Sequence, residues 1–447
     1  MHVALIAMSG VRAYNPELTA LGLTLPGFVE RGETIASLPS LSLLTLAALT
    51  PDPHEVSYHE VADIRDLDSL PECDLAAIST YSAQIKEAYE LADRYRAESI
   101  PVVIGGLHVT AVPEEALEHC DAVVVGEGEP VWAEVLADVA SGRLRPVYRS
   151  RGEFDLAHAP VPRYDLLDPD RYNRLTIQTE RGCPWRCEFC ASSILLTPRY
   201  KMKPPSRVAA ELDAIGRIWH RAFVELADDN SFVNKHRSRE LVSTIGEAGV
   251  RWFTETDISV AEDEELLVAM REAGCAEVLI GLESPNAGAL DGLELNRNWK
   301  LRQLDHYRAA ITTIQEHGIA VNACFVLGLD GDDAGVFDTV ARFVDDVGPF
   351  DVQITVLTPF PGTPLYRRLA AENRLIEPGA WERCTLFDVN HRPLRMSVQD
   401  LETGLVELGR YLYSEDATAR RRSAFKDQWR RGRARERLDQ TAAESAA

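Results

Sequence analysis

The sequence predicts an α/β chain of two successive sheets. The first is a doubly wound, Rossmann-like parallel sheet over residues 1–142, and the second is a partial (β/α)6 barrel over 174–358 with a C-terminal cap over 359–415. Two observations predict it. Short apolar runs alternate with helical patterns five times before residue 142 and six times after residue 174, and such runs are strands of parallel sheets covered on both faces. Between the two series, Pro146, Pro160, Pro162 and Pro169 interrupt 143–173, which reads as a linker.

Length and composition bound the class. A chain of 447 residues has ample length for several buried cores, and 45% hydrophobic with 26% charged residues is a globular balance. No apolar run reaches the ~18 residues of a membrane span. Met1-His2-Val3-Ala4-Leu5-Ile6-Ala7 opens directly on a strand pattern, without the basic start of a signal peptide, so a reducing cytoplasm is the expected compartment and no membrane partner is expected. Eight cysteines are too few for a disulfide scaffold in a chain of this length. A net charge of −23 argues against nucleic acid as a partner. The exception is the tail, 416–447, where Arg420 to Arg437 holds nine Lys/Arg against Asp427 and Glu436. It reads as a frayed helix, a charged tail folding back on the acidic body in preference to a nucleic-acid contact.

In the first half, strands fit 2–7, 56–61, 75–80, 101–105 and 121–125, with helices at 38–49, 82–98 and 129–141. Such a sheet binds ligands beyond the carboxyl ends of its strands. Ser79-Thr80-Tyr81, Gly105-Gly106-Leu107-His108 and Gly126-Glu127-Gly128-Glu129 fall there, and glycines at such turns let backbone approach a large flat ligand. No G-x-G-x-x-G follows the first strand, which disfavours a dinucleotide. The segment 9–37 is a loop of functional length.

In the second half, strands fit 174–180, 222–227, 251–256, 277–283, 319–327 and 351–357, with chemistry expected at their carboxyl ends. Directly after the first comes Arg181-Gly182-Cys183-Pro184-Trp185-Arg186-Cys187-Glu188-Phe189-Cys190. Three cysteines at C-x3-C-x2-C spacing fold one loop around one face of an iron–sulfur cubane. Such clusters ordinarily take four thiolates, so this trio leaves one iron open for a substrate or cofactor. The competing reading is a zinc knuckle, but zinc wants a fourth Cys or His, and the next histidine, His220, lies a helix away. Asp228-Asp229-Asn230, Glu255, Asp257 and Glu283-Ser284 place polar groups at the following strand ends, with a helix N-cap as the alternative role for Asp229 or Asn230. Cys324, on the fifth strand, reads more readily as a small buried hydrophobe than as a catalytic group.

The cluster loop with Phe189 before its last cysteine, in a six-unit barrel, resembles the radical S-adenosylmethionine (SAM) superfamily. The first half, with Pro39-Ser40-Leu41-Ser42-Leu43-Leu44, resembles the cobalamin-binding domain found ahead of many of its members. The resemblance implies a [4Fe-4S] cluster on Cys183, Cys187 and Cys190. It implies SAM held by Phe189, Asp228, Asp229, Glu255, Glu283, Ser284, Leu327 and Thr358. It further implies cobalamin held by Leu41, Ser79, Tyr81, Gly105, Gly106, His108, Gly126 and Glu127, although for the lone His108 a hydrogen bond to a loop is the leading alternative. Members whose histidine ligates cobalt carry D-x-H-x-x-G; here the closest run, Asp52-Pro53-His54-Glu55-Val56-Ser57, lacks the glycine, so no histidine is expected beneath cobalt, a face that 9–37 is placed to cover. By the same resemblance the cap shapes the substrate pocket, with Trp381, Phe387, His391, Tyr411 and Tyr413 as candidate contacts, a core or surface role being the leading alternative for most of them, and an external electron donor of flavodoxin or ferredoxin type is implied.

The implied activity is methyl transfer to an unactivated carbon of a small biosynthetic substrate. The alternative keeps both cofactors but performs cyclisation, oxidation or rearrangement. A sensory module that only binds cobalamin is a third reading, disfavoured by the intact cluster loop.

Overall fold

The computed structural model describes residues 1–22, 38–150, 152–196 and 199–446. The N-terminal sheet contains β1 (His2–Met8), β2 (Glu55–Val61), β3 (Leu75–Ser79), β4 (Val102–Gly105), β5 (Ala122–Val125) and β6 (Val147–Arg149). All its pairs are parallel, in the order β2-β1-β3-β4-β5-β6. Leu5, Ile6, Ala76, Val102, Ile104 and Val123 are wholly buried, and apolar clusters cover both faces of the sheet, as helices on both sides require.

Strand β6 lies inside the span that the prolines mark as a linker. Its three residues pair with Val123–Val125, and only Tyr148 is buried, its hydroxyl donating to Asp138 at 2.7 Å. An edge strand that buries one side chain leaves almost no periodic trace in sequence.

The second sheet contains β7 (Leu175–Ile177), β8 (Phe223–Ser231), β9 (Arg251–Thr256), β10 (Cys275–Glu283), β11 (Ala320–Leu327) and β12 (Asp351–Val356). Its order, β12-β11-β10-β9-β8-β7, follows the chain in reverse and is parallel throughout. Helices separate successive strands, among them α1 (Pro205–Ile218), α2 (Lys235–Glu247), α3 (Glu264–Glu272), α4 (Tyr307–Glu316) and α5 (Val336–Val347). Their N-termini are set by side chains: Asn234 accepts from Arg237 N–H and Asp263 from Leu266 N–H, satisfying donors that a helix leaves unpaired. The expected N-cap role of Asp229 or Asn230 is therefore taken by Asn234.

The basic tail is one helix, α6 (Glu415–Ala446). It lies along α4: Gln428 Nε2 donates to Val347 O at 3.2 Å, and Arg431 and Arg435 face Glu316 at 3.8 and 3.4 Å. The tail thus folds back on the acidic body. Of 9–37, residues 16–21 are a short helix whose Glu17 meets Arg410; 23–37 lie outside the described residues. No described helix is long and apolar enough to cross a membrane.

Candidate functional site

The carboxyl ends of both sheets open on one cavity of about 650 Å³. One wall comes from the first sheet: Ser79 and Tyr81 after β3, Gly105 and Gly106 after β4, and Gly126 to Glu129 after β5. The opposite wall comes from the barrel: Gln178, Arg181, Ser192, Glu225 to Asp229 and Glu255. Leu41 lines an adjoining chamber of about 520 Å³ that shares Tyr81, Arg181 and Glu225 with the first.

The first wall is shaped for close approach. Gly106 has φ +114°, and a Cβ there would lie 2.8 Å from Thr80 O; Gly126 has φ +84° with nothing near its absent Cβ. These are conformations that glycine alone adopts without strain, and they leave a bare backbone floor that fits a broad ring. Among the described residues no histidine lines the cavity. His54 precedes β2, at the far end of the sheet. His108 does not reach the cavity either: the helical turn begun by Leu107 carries it inward, where it is fully buried, hydrogen-bonded to Ser82 Oγ at 3.1 Å and edge-on to Trp381. It packs inside the first domain, which fits the local hydrogen bond that was the leading alternative to a cobalamin contact.

Arg181 joins the two walls. Its guanidinium donates to Glu127 at 2.6 Å and to Glu129 at 2.8 Å, and Lys201 reaches Glu127 at 2.9 Å. Burial alone would raise the Glu127 carboxyl, but the bonds from Lys201, the Phe154 amide and Arg181 hold it below its ordinary value. Glu127 is thus committed to the seam between the walls more than to a ligand.

Cys183, Cys187 and Cys190 cluster on the loop after β7. Burial raises all three thiols, Cys183 to about 11, so thiolates here need a positive partner such as iron. Cys183 takes N–H donors from Trp185 backbone and from Asn230 Nδ2, the latter at 3.6 Å, the kind of bond that tunes iron–sulfur centres. Among the described residues no three His, Cys, Asp or Glu side chains converge on a single metal ion. The loop fits a cubane better than a zinc ion.

The polar strand ends divide into two groups. Asp228 borders the cavity but is buried, with its carboxylate taken up by Thr179 N–H, Thr179 Oγ, Glu180 N–H and Ser231 Oγ, so that it also fastens β7 to β8. Asp229 accepts from Gly182 N–H at 2.6 Å and from Ser192 Oγ, beside the cluster loop and on the cavity wall. Glu255 is solvent-accessible on the cavity wall, deep between the two sheets, and has no side-chain hydrogen-bond partner among the described residues. Burial, then Glu225, Asp229, Asp228 and Glu283, raise its carboxyl to about 8. An unpartnered carboxyl among carboxylates calls for a cation, and SAM carries a sulfonium and an ammonium. Glu283, held at φ +65°, pairs with buried Lys300 at 2.8 Å. Ser284 is buried and accepts from Asn286 N–H. Phe189 is half-buried against the barrel core.

Leu327 is wholly buried in that core, and the Thr358 hydroxyl donates to Val356 O at 2.9 Å. The five cap residues stay outside the cavity lining. Trp381 donates to Glu115 at 3.0 Å, Phe387 and His391 are buried, Tyr411 bonds Asp345 on the surface, and Tyr413 packs behind β12. Cys324 is half-buried in the barrel with Glu255, Glu283, Asp351 and Glu277 about it. Lys300 and the Trp185–Trp299 stack, with centroids 4.3 Å apart, escape a sequence reading because their partners are remote in the chain, as does the bond from Asn230 to Cys183.

Comparison with known proteins follows the same division. Residues 37–136 match the B12 binding domain, 177–344 the radical SAM superfamily, and 363–446 a domain of unknown function, DUF4070. The chain is 26% identical over 396 residues to the bacteriochlorophyllide d C-12(1)-methyltransferase of Chlorobaculum tepidum, covering 86% of this chain and 84% of that one. It is 28% identical over 355 residues to the hopanoid C-2 methylase of Rhodopseudomonas palustris, covering 77% and 66%. In fold it is similar to the radical SAM methyltransferase TsrM of Kitasatospora setae, with a TM-score of 0.67 at 17% identity over 100% of both chains.

Proposed function

We propose that this chain is a radical SAM enzyme with an N-terminal B12-binding domain, and that its reaction is cobalamin-dependent methyl transfer to an unactivated carbon of a small-molecule substrate. The observation that carries the reading is the shared cavity, with the B12-side glycine floor facing the cluster-side carboxylates across one space. When bound, the cluster and SAM supply one-electron hydrogen abstraction and cobalamin supplies a transferable methyl group, while the protein orients them.

The chain's own residues do the orienting. Cys183, Cys187 and Cys190 hold the cluster, and buried Lys300 places a positive charge near Cys187. Asp229, Glu255, Glu283 and Ser284 form the polar edge offered to SAM. Ser79, Tyr81, Gly105, Gly106 and Gly126 form the floor for the corrin ring, with Leu41 at its margin. The Arg181 ion cluster holds that floor against the cluster loop. Residues 1–142 act as the cobalamin half, 174–358 as the radical half and 359–415 as the cap. An external flavodoxin- or ferredoxin-like protein supplies electrons, and a reducing cytoplasm suits eight free cysteines.

The bacteriochlorophyllide and hopanoid relatives support a carbon acceptor. Anaerobic turnover with methyl-labelled SAM and candidate substrates tests it: a product carrying the label is expected, and a product without it would move the reading to cyclisation or oxidation.

A further inference from the structure

Asn230 makes the most constrained contact near the cysteines. Its Nδ2 donates to Cys183 Sγ at 3.6 Å and to Asp257 Oδ2 at 3.0 Å, while its Oδ1 accepts from the Asp257 backbone N–H at 2.9 Å. Turning the amide over would set its oxygen against a carboxylate and its NH2 against an N–H. The neighbours therefore fix which end faces the sulfur.

Asp257 is itself held. Its Oδ2 accepts from Trp185 Nε1 at 2.8 Å and its Oδ1 from Ser259 N–H at 2.9 Å. Trp185, two residues after Cys183, stacks on Trp299 with ring planes 15° apart. Asn230 is buried, so its N–H has no competing water. A side chain so placed has little freedom to do anything but donate to that sulfur.

We propose that Asn230, locked by Asp257, is a positioning residue that raises the reduction potential of the cluster held by Cys183. The reduced cluster carries one more negative charge, spread partly onto its thiolates, and an N–H donor stabilises that charge more than it does the oxidised form. Reduction by the external donor is thereby eased. The inference rests on the cluster reading and is indifferent to which carbon is methylated.

The test uses the full chain with its cluster reconstituted anaerobically and titrated potentiometrically by EPR. Asn230→Ala is expected to load as much iron as the native chain and to show a more negative midpoint potential. Asn286→Ala, whose amide faces Gly331 O instead, is expected to leave the midpoint unchanged. An unchanged midpoint in loaded Asn230→Ala overturns the inference. If that variant takes up no iron, the native chain decides. With 15N in its asparagine side chains, the reduced cluster is expected to show a hyperfine coupling to one amide nitrogen, and its absence overturns the inference. A native chain that takes up iron without forming a cluster would overturn the cluster reading as well.

Discussion

Replacing Arg181 by Met tests whether the seam between the two walls is held as described. The guanidinium is 17% exposed, and its partners Glu127 and Glu129 are 7% and 11% exposed. Removing one partner of such a buried pair costs about 3–5 kcal/mol, mostly because a charge is left without its counterion. Glu127 keeps Lys201 at 2.9 Å and the Phe154 N–H at 2.6 Å, so only Glu129 is stranded. That puts the loss near the lower end, about 3 kcal/mol. Adding Glu129→Gln removes the stranded charge and should recover about 1–2 kcal/mol of it. Urea unfolding of the two variants and the parent measures both quantities. The sign with pH follows from Glu127: its carboxyl lies below the ordinary 4.5, so its contribution is present above 4.5 and lost as pH falls through its lowered value. The gap between parent and variant should therefore narrow in acid. A loss under about 0.5 kcal/mol, the level of a neutral surface change, or a further loss on adding Glu129→Gln, would refute the reasoning.

Three further outcomes are expected. Changing Cys183, Cys187 or Cys190 to Ala should abolish the four-iron EPR signal after reconstitution, whereas Cys73→Ala or Cys275→Ala should leave it; a cluster surviving the loss of Cys187 would contradict the assignment. Gly106→Ala should cost about 1–3 kcal/mol, because φ +114° and the approach to Thr80 O leave no room for a Cβ, and cobalamin bound per chain should fall with it. Glu255, protonated below about 8 without a ligand, must lose its proton to meet a cation, so SAM should bind more tightly as pH rises, by at most about tenfold per unit, levelling off above 8. Calorimetry on Glu255→Gln should show that dependence flattened, and an unchanged profile would remove Glu255 from the SAM edge.

Much of this was legible in the residues. The barrel strands stand out because their apolar runs are buried on both faces, and the cysteine loop because its spacing is itself the chemistry. Period two accounts for the burial of Asp228: Val224, Leu226 and Asp228 share the buried face of β8, while Glu225, Ala227 and Asp229 are more open, and Glu225 to Asp229 all border the cavity. That alternation was available in the sequence. His108 was not so readable, since a strand end and the first turn of a helix differ by one residue in where they send a side chain. The cap residues, named through the resemblance, lie in the core or surface positions that were their alternative, and only tertiary packing says that Trp381 serves Glu115. Asn230, Asp257 and Trp185 meet across 27 and 72 positions, and no local pattern encodes such a meeting.

The central claim is that this chain methylates carbon, and the ratio of its coproducts tests it most directly. Methyl transfer through a substrate radical consumes two SAM molecules per product, one ending as S-adenosylhomocysteine and one as 5′-deoxyadenosine with methionine, whereas cyclisation or oxidation needs only the second. With the true substrate and methyl-labelled SAM under anaerobic reduction, the expected result is both coproducts in near-equal amounts and a product carrying the label. 5′-Deoxyadenosine beside an unlabelled product, with S-adenosylhomocysteine no higher than in a substrate-free control, would contradict it.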